Sequence, residues 1–147
     1  MDSSPDAPTV AFSLTVKNSA KALDFYTRAF GAEELMRVPA LGGGIVHAEF
    51  MIGNTKIFMS DEAEDHHAFA MPEGGMSSCL FGITTENCDT AYARAVEAGA
   101  TSLSEPENAW WGSRYAIILD PFGYRWGLSH PIPPASPEEM EKHLADL

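Results

Sequence analysis

Apolar and polar residues alternate along Val10-Ala-Phe-Ser-Leu-Thr-Val16, the period of a strand with one buried face. The period then changes. Ala22, Leu23, Tyr26, Ala29 and Phe30 recur at three- and four-residue spacings, which predicts one apolar face of a helix over residues 20–30. Asn18 or Ser19 supplies the N-cap and Gly31 the stop. Three strand-like runs follow at 33–38, 44–52 and 55–60, the last two joined by a Gly53-Asn54 hairpin turn. Residues 61–77 break the pattern. Asp61, Glu62, Glu64, Asp65, His66 and His67 precede Pro72 and Gly74-Gly75, which reads as a polar, flexible connector.

The same order of elements then runs again. A strand is expected over 78–85, and a helix capped by Asn87 runs to Ala98, with Ala91, Ala95 and Val96 inward and Gly99 as its stop. Strands follow at 101–105, 115–119 and 124–129. Phe30-Gly31-Ala32 matches Ala98-Gly99-Ala100 at an offset of 68 residues, and 53–60 matches 122–129 at an offset of 69. The fold class expected is α+β: tandem βαβββ modules, about 9–60 and 78–130, within one domain over 9–130. Each copy makes a curved sheet with a helix on its outer face. Together they form a mixed, mostly antiparallel eight-stranded system around a cavity.

Residues 1–8 read as a loose arm, and residues 131–147 as a proline-rich tail. In the tail, Ser136, Pro137 and Glu139 carry the start signals of a short helix to about Ala145. Met140, His143 and Leu144 could form a small apolar stripe, docked on the chain's own body or on a dimer partner.

Composition narrows the chemistry. The 147 residues carry 21 acidic and 9 basic side chains, a formal charge of −12, which repels nucleic acid and anionic lipid. No apolar run is long enough to span a membrane, and the start does not read as a signal peptide, so a cytoplasmic protein is expected. Cys79 and Cys88 read as reduced, buried thiols. No phosphate loop, GxSxG elbow or activated cysteine is present.

Four segments carry a family resemblance. Ala22-Leu-Asp-Phe-Tyr-Thr-Arg-Ala-Phe-Gly-Ala32 resembles the "FY…FGA" helix of the vicinal oxygen chelate (glyoxalase/bleomycin resistance/dioxygenase) superfamily. His47-Ala-Glu-Phe-Met-Ile-Gly53 resembles the third strand of its PhnB-like branch. Trp111-Gly-Ser-Arg114 and Asp120-Pro-Phe-Gly-Tyr-Arg-Trp126 resemble that branch's closing signature. The resemblance covers about residues 9–130 and implies the glyoxalase/bleomycin-resistance fold and a homodimer. Functions in the superfamily range from glyoxalases and dioxygenases to metal-free proteins that sequester bleomycin. It also implies where a metal would sit, since its enzymes take His or Glu ligands from the first, fourth, fifth and eighth strands. Those positions fall near Ala11, Phe58, Leu80 and Gly127, and none offers a lone pair. The neighbours Val10, Phe12, Ile57, Met59, Cys79, Phe81, Trp126 and Leu128 do not restore the set. No cofactor is therefore expected, although a divalent ion on an unusual set including His47 and Glu49 stays open.

The candidate site residues are His47, Glu49, Trp110, Trp111, Arg114 and Tyr115. His47 and Glu49 lie two apart on one strand, so both point to one face, where the His could act as a base held by the carboxylate. An ordinary solvent-facing pair is the alternative. Trp110 and Trp111 could form a lip that stacks on a flat or cationic ligand, or could fill the core and a dimer seam. Arg114 could orient an anionic group or pair with an acid such as Glu107. Tyr115 could add aromatic wall, whereas Trp126 reads as core. His66 and His67 are adjacent and poorly placed to share an ion. Asp120 reads as the start of a turn, and Met36, Met51 and Met59 as adaptable core. Two functions stay open. One is a metal-free protein enclosing an aromatic or cationic small molecule, for antibiotic or metabolite sequestration. The other is a metal-dependent lyase, isomerase or dioxygenase.

Overall fold

The computed structural model describes residues 6–147; most of the arm expected at 1–8 lies outside the described residues. The elements follow the expected order: β1 (Ser13–Val16), α1 (Ser19–Phe30), β2 (Glu33–Pro39), β3 (Ile45–Ile52) and β4 (Thr55–Asp61), then β5 (Leu80–Thr84), α2 (Cys88–Ala98), β6 (Thr101–Ala109), β7 (Ser113–Leu119), β8 (Arg125–Pro131) and α3 (Pro137–Ala145). The strands form two mixed four-stranded sheets, one for each expected module, ordered β1-β4-β3-β2 and β5-β8-β7-β6. In each, the helical crossover lays the first strand parallel to the last, and hairpins make the other pairs antiparallel. The chain forms two compact units. One holds the residues up to Thr27 and Gly31–Ala70; the other holds Arg28–Phe30 and Met71–Leu147.

In the first unit, α1 covers one face of its sheet. Leu14, Val16, Ala48, Phe50, Ile57 and Met59 point under the helix and are at most 1% exposed. Tyr26 stacks on Phe50 with ring centroids 5.4 Å apart. Each of the larger of these, Leu14, Val16, Phe50, Ile57 and Met59, contributes about 1.5–3 kcal/mol by burial. The Asn18 side chain caps the helix by accepting from the Lys21 N–H, and Gly31, at φ 68°, ends it in the left-handed region. Asp61, expected in the connector, instead ends β4. Its carboxylate accepts the Ser19 N–H (2.8 Å) and the Ile45 N–H (3.0 Å), tying the helix start to two strands. The connector is itself more ordered than expected, with a short turn at Glu64–His66 closed by an Ala63–Ala68 bridge. Met59 is buried, but Met36 is 42% exposed on the edge strand β2, outside the core expected for it.

The second unit repeats the construction. Asn87 caps α2 by accepting from the Thr90 N–H, and Ala116, Ile118, Trp126 and Leu128 are at most 2% exposed. The apolar stripe of α2 runs through Cys88, Ala91 and Ala95; Val96, expected inward, falls one position past it and is 38% exposed. Cys88 is buried, and its thiol donates to the Leu128 carbonyl (3.2 Å). Cys79, expected buried, is exposed just before β5. Strand β6 runs to Ala109, past the expected end at 105. Pro106 is tolerated there because β6 is an edge strand and its register shifts around the proline. Asp120 organises the turn into β8: one carboxylate oxygen accepts the Phe122 and Tyr124 N–H groups (2.8 and 3.0 Å), the other the Trp126 indole (2.9 Å). Trp126 is core, at 2% exposure.

The tail does not leave at residue 131. Pro131 still pairs with Ser113, and the next residues fold back on the β6–β7 turn. The Ile132 N–H donates to the Gly112 carbonyl (3.0 Å) and the Ala135 N–H to the Trp110 carbonyl (3.1 Å). Ser136 then caps α3 as expected, accepting from the Glu139 N–H. The stripe on α3 is largely in solvent, with Leu144 54% exposed.

Candidate functional site

Strand alternation sends every second residue of β1, β3 and β4 to the face opposite α1. Ser13, Thr15, His47, Glu49 and Phe58 stand there. Glu49 lies directly across from Phe58 on β4 and from Met36 on β2. His47 and Glu49 do come together: the imidazole Nε2 lies 3.0 Å from a Glu49 carboxylate oxygen, and the Lys56 ammonium lies 3.4 Å from the other. The hydrogen bond from His47 holds the Glu49 carboxyl below its usual range. Partial desolvation opposes this, and Lys56 assists it. The His47 ring lies stacked on Phe58, centroids 5.6 Å apart and tilted by 30°. An imidazole backed by a ring and bonded to a carboxylate has a fixed orientation, which suits either ring stacking or proton transfer to its remaining nitrogen.

In the second unit the open face carries Gly82, Thr84, Tyr115, Ile117, Gly127 and Ser129, by the pairing of β5, β7 and β8. Three expected site residues gather at its edge. Trp110 and Trp111 occupy the β6–β7 turn, rings edge to face at 5.5 Å, and Trp111 meets Tyr115 edge to face at 6.0 Å. Trp111 remains 55% exposed. The turn is fixed from behind by the two tail hydrogen bonds and by Gly112, whose φ of 95° suits glycine. The Tyr115 ring lies over Gly127: a Cβ there would come within 2.9 Å of the ring.

Arg114 stands apart from these groups. One residue from Tyr115, it points to the α2 side of the sheet, where its guanidinium grips both Asp89 carboxylate oxygens (2.6 and 2.8 Å) and donates to Asn108 (2.9 Å). Its acid partner is thus Asp89 rather than Glu107, because Glu107 shares a row with Tyr115 on the open face. The pairing lowers the Asp89 pKa and raises that of Arg114. His66 and His67 are exposed in the connector turn.

The two faces are register equivalents. Ala48 pairs with Met59 as Ala116 pairs with Leu128, so His47 corresponds to Tyr115, Glu49 to Ile117 and Phe58 to Gly127. Sequence reasoning passed over Lys56, Phe58, Gly82 and Gly127 as site residues. The 69-residue offset contained the signal, since it aligns Phe58 with a residue that has no side chain.

Phe58, Leu80 and Gly127 lie on these open faces, and Ala11 two residues before Ser13. They carry no donor, so the residues at the superfamily's ligand positions do not fit a divalent ion. Among the described residues no three His, Cys, Asp or Glu side chains form a group that could hold a metal. Burial and the neighbouring Asp89 push the Cys88 thiol up, away from thiolate chemistry. Among the described residues no helix is long and apolar enough to cross a membrane.

Comparison with known proteins gives a consistent answer. The profile of the Glyoxalase/Bleomycin resistance protein/Dioxygenase superfamily matches residues 9–128. An uncharacterized protein of Mycobacterium bovis is 31% identical over 141 residues, covering 94% of this chain and 93% of its own. Among solved structures, TioX from Micromonospora sp. ML1 is similar with a TM-score of 0.67 at 23% identity, over 85% of this chain and 100% of that one. TnmS3, an antibiotic binding protein from Streptomyces sp. CB03234, has a TM-score of 0.61 at 24% identity, over 86% of this chain and 98% of its own. At these identities the structural likenesses establish the fold.

Proposed function

We propose that this chain, which belongs to the glyoxalase/bleomycin resistance protein/dioxygenase superfamily, is a small-molecule-binding protein that works by aromatic stacking rather than through a bound metal. The observation that carries this reading is the content of the open faces. Where the superfamily's enzymes place metal ligands, this chain has Ala11, Phe58, Leu80 and Gly127. Beside those positions stand His47 stacked on Phe58, and Tyr115 with Trp111 and Trp110. Aromatic side chains half in water are costly to leave uncovered, and a flat ligand covers them. The charge of −12 favours cationic over anionic ligands. Sequestration of an antibiotic or metabolite is the role this suits, in line with the antibiotic-binding neighbour. Within the family we place the chain in the PhnB-like branch, as a cytoplasmic homodimer.

The test starts with protein purified without a histidine tag or added metal. We expect less than about one tenth of an equivalent of divalent ion per chain by elemental analysis. We also expect quenching of tryptophan fluorescence by at least one compound in a panel of bleomycin and planar aromatic cations. A stoichiometric ion that survives dialysis, or a panel without a single binder, overturns the reading.

The His47–Glu49 pair favours a second reading, an enzyme of lyase, isomerase or dioxygenase type. His47 would serve as a base oriented by Glu49. Turnover that survives His47→Ala would remove that role.

A further inference from the structure

The open face of the second unit contains a bare strip. Gly82 on β5 and Gly127 on β8 are directly paired, with Ile117 of β7 next in the same row. Glycine inside strands weakens them and marks places where something approaches the backbone closely. At Gly127 the approaching group is the Tyr115 ring. At Gly82 nothing explains the glycine, because a Cβ there would meet no atom within 4 Å. The equivalent positions in the first unit carry the side chains of Ser13 and Phe58.

Deepening the function proposed above, on which this rests, we propose that the Gly82–Gly127 strip is the floor of a binding slot for planar aromatic rings. Two paired glycines present a small flat surface on which a ring can lie against the peptide planes. One flank is a row of hydroxyl groups, Thr84, Ser129 and Tyr115; the other is apolar, with Leu80 and Leu119 across from Arg125. The Arg125 guanidinium keeps its charge but is held by the Ser77 and Ser78 carbonyls (2.9 and 2.7 Å), at the end of the slot opposite the hydroxyl row. Glu107 lies across from Tyr115 at the hydroxyl end and favours a cationic substituent there. Tyr115 swings off Gly127 to stack on the incoming ring, and Trp111 forms the outer wall. The ligand class is therefore a flat, fused aromatic with a basic group on one edge.

The probe is 9-aminoacridine, titrated into the whole protein and into a graded series Gly82→Ala, Gly82→Val and Gly82→Leu. The space above Gly82 is open, so these side chains fill the slot without displacing the fold. Affinity is expected to fall with side-chain size, by about tenfold or more for leucine, without a fall in the unfolding midpoint. Amide signals of Gly82 and Gly127 in the wild-type protein should move on addition of the probe, a reading independent of any variant. Unmoved glycine signals, or equal affinity across the series, overturn the slot. The proposed function survives that result if Trp111→Ala still weakens the probe or bleomycin, and falls with the slot if the wild-type protein binds neither.

Discussion

The two open faces occupy the same scaffold positions with different chemistry. In the first unit an imidazole lies on a phenyl ring and is bonded to a carboxylate; in the second a phenol lies on bare backbone and meets an indole. The first face carries a charged pair; the second carries hydroxyl groups, aromatic rings and two paired glycines. The helix starts differ in the same manner. The first N–H of α1 is accepted by the Asp61 carboxylate (2.8 Å), whereas that of α2 is accepted by His130 Nδ1 (2.7 Å) at the equivalent place, 69 residues on. Backbone pairing thus dictates where a side chain points, and leaves its chemistry free to diverge between the copies.

The largest effect expected is on the buried scaffold. Trp126→Ala removes the biggest core side chain of the second unit and one of the donors to Asp120; a loss of about 3–5 kcal/mol in urea unfolding is expected. Phe50→Ala should cost a similar amount in the first unit. A loss under about 1 kcal/mol for either would mean that unit's helix does not depend on its sheet.

The helix latches come next. Burial raises the Asp61 pKa, but the Ile45 and Ser19 backbone donors outweigh it and hold the carboxyl below its usual range. A depressed folded-state pKa contributes stability above the unfolded value, near 3.9, and loses it as pH falls through the folded value. Asp61→Asn should therefore cost about 1–3 kcal/mol at pH 7, and the gap from the wild type should narrow below about pH 4. A gap of constant size across that range would show that the charge of Asp61 has no part. His130→Asp puts a carboxylate acceptor on the Cys88 N–H in place of the imidazole, so the second latch should then weaken in the same acid range as the first.

Ligand binding sharpens the contrast between the faces. Trp111→Ala should weaken aromatic ligands by about tenfold, near 1.4 kcal/mol, with little change in stability, because the ring is already half in solvent. The smallest effect is expected at the first face. If His47 serves as an aromatic shelf, His47→Phe should keep ligand affinity within about twofold, near 0.4 kcal/mol. A large loss on that substitution, restored by no other aromatic, would assign the imidazole a chemical role.

Most of the framework was legible beforehand because it is local. Caps at Asn18, Asn87 and Ser136, stops at Gly31 and Gly99, and the Gly53-Asn54 turn depend on a few adjacent residues, and each lies where the spacing predicts. The misjudged residues depend on partners far along the chain. Asp61 looked like connector because its partners, Ser19 and Ile45, are 42 and 16 residues away. Arg114 was open to an anionic ligand or to an acid such as Glu107 until Asp89, 25 residues back, took its Nε and Nη2 donors. The strand expected over 101–105 runs on to Ala109 because β6 lies at a sheet edge, where Pro106 is tolerated.

By itself, then, the amino-acid order determined the repeated βαβββ framework, the parity that puts His47 with Glu49 and sets Tyr115 opposite to Arg114, and the missing donors at Ala11, Phe58, Leu80 and Gly127. Those properties follow from residue type and a strand period of two, which need no distant partner. Only the tertiary structure decided which side chains are already engaged, that His47 lies on Phe58, that Tyr115 lies on Gly127, and that Gly82 is left open. Those depend on diagonal neighbours brought together across strands, where a shift of one residue in register would exchange the two faces.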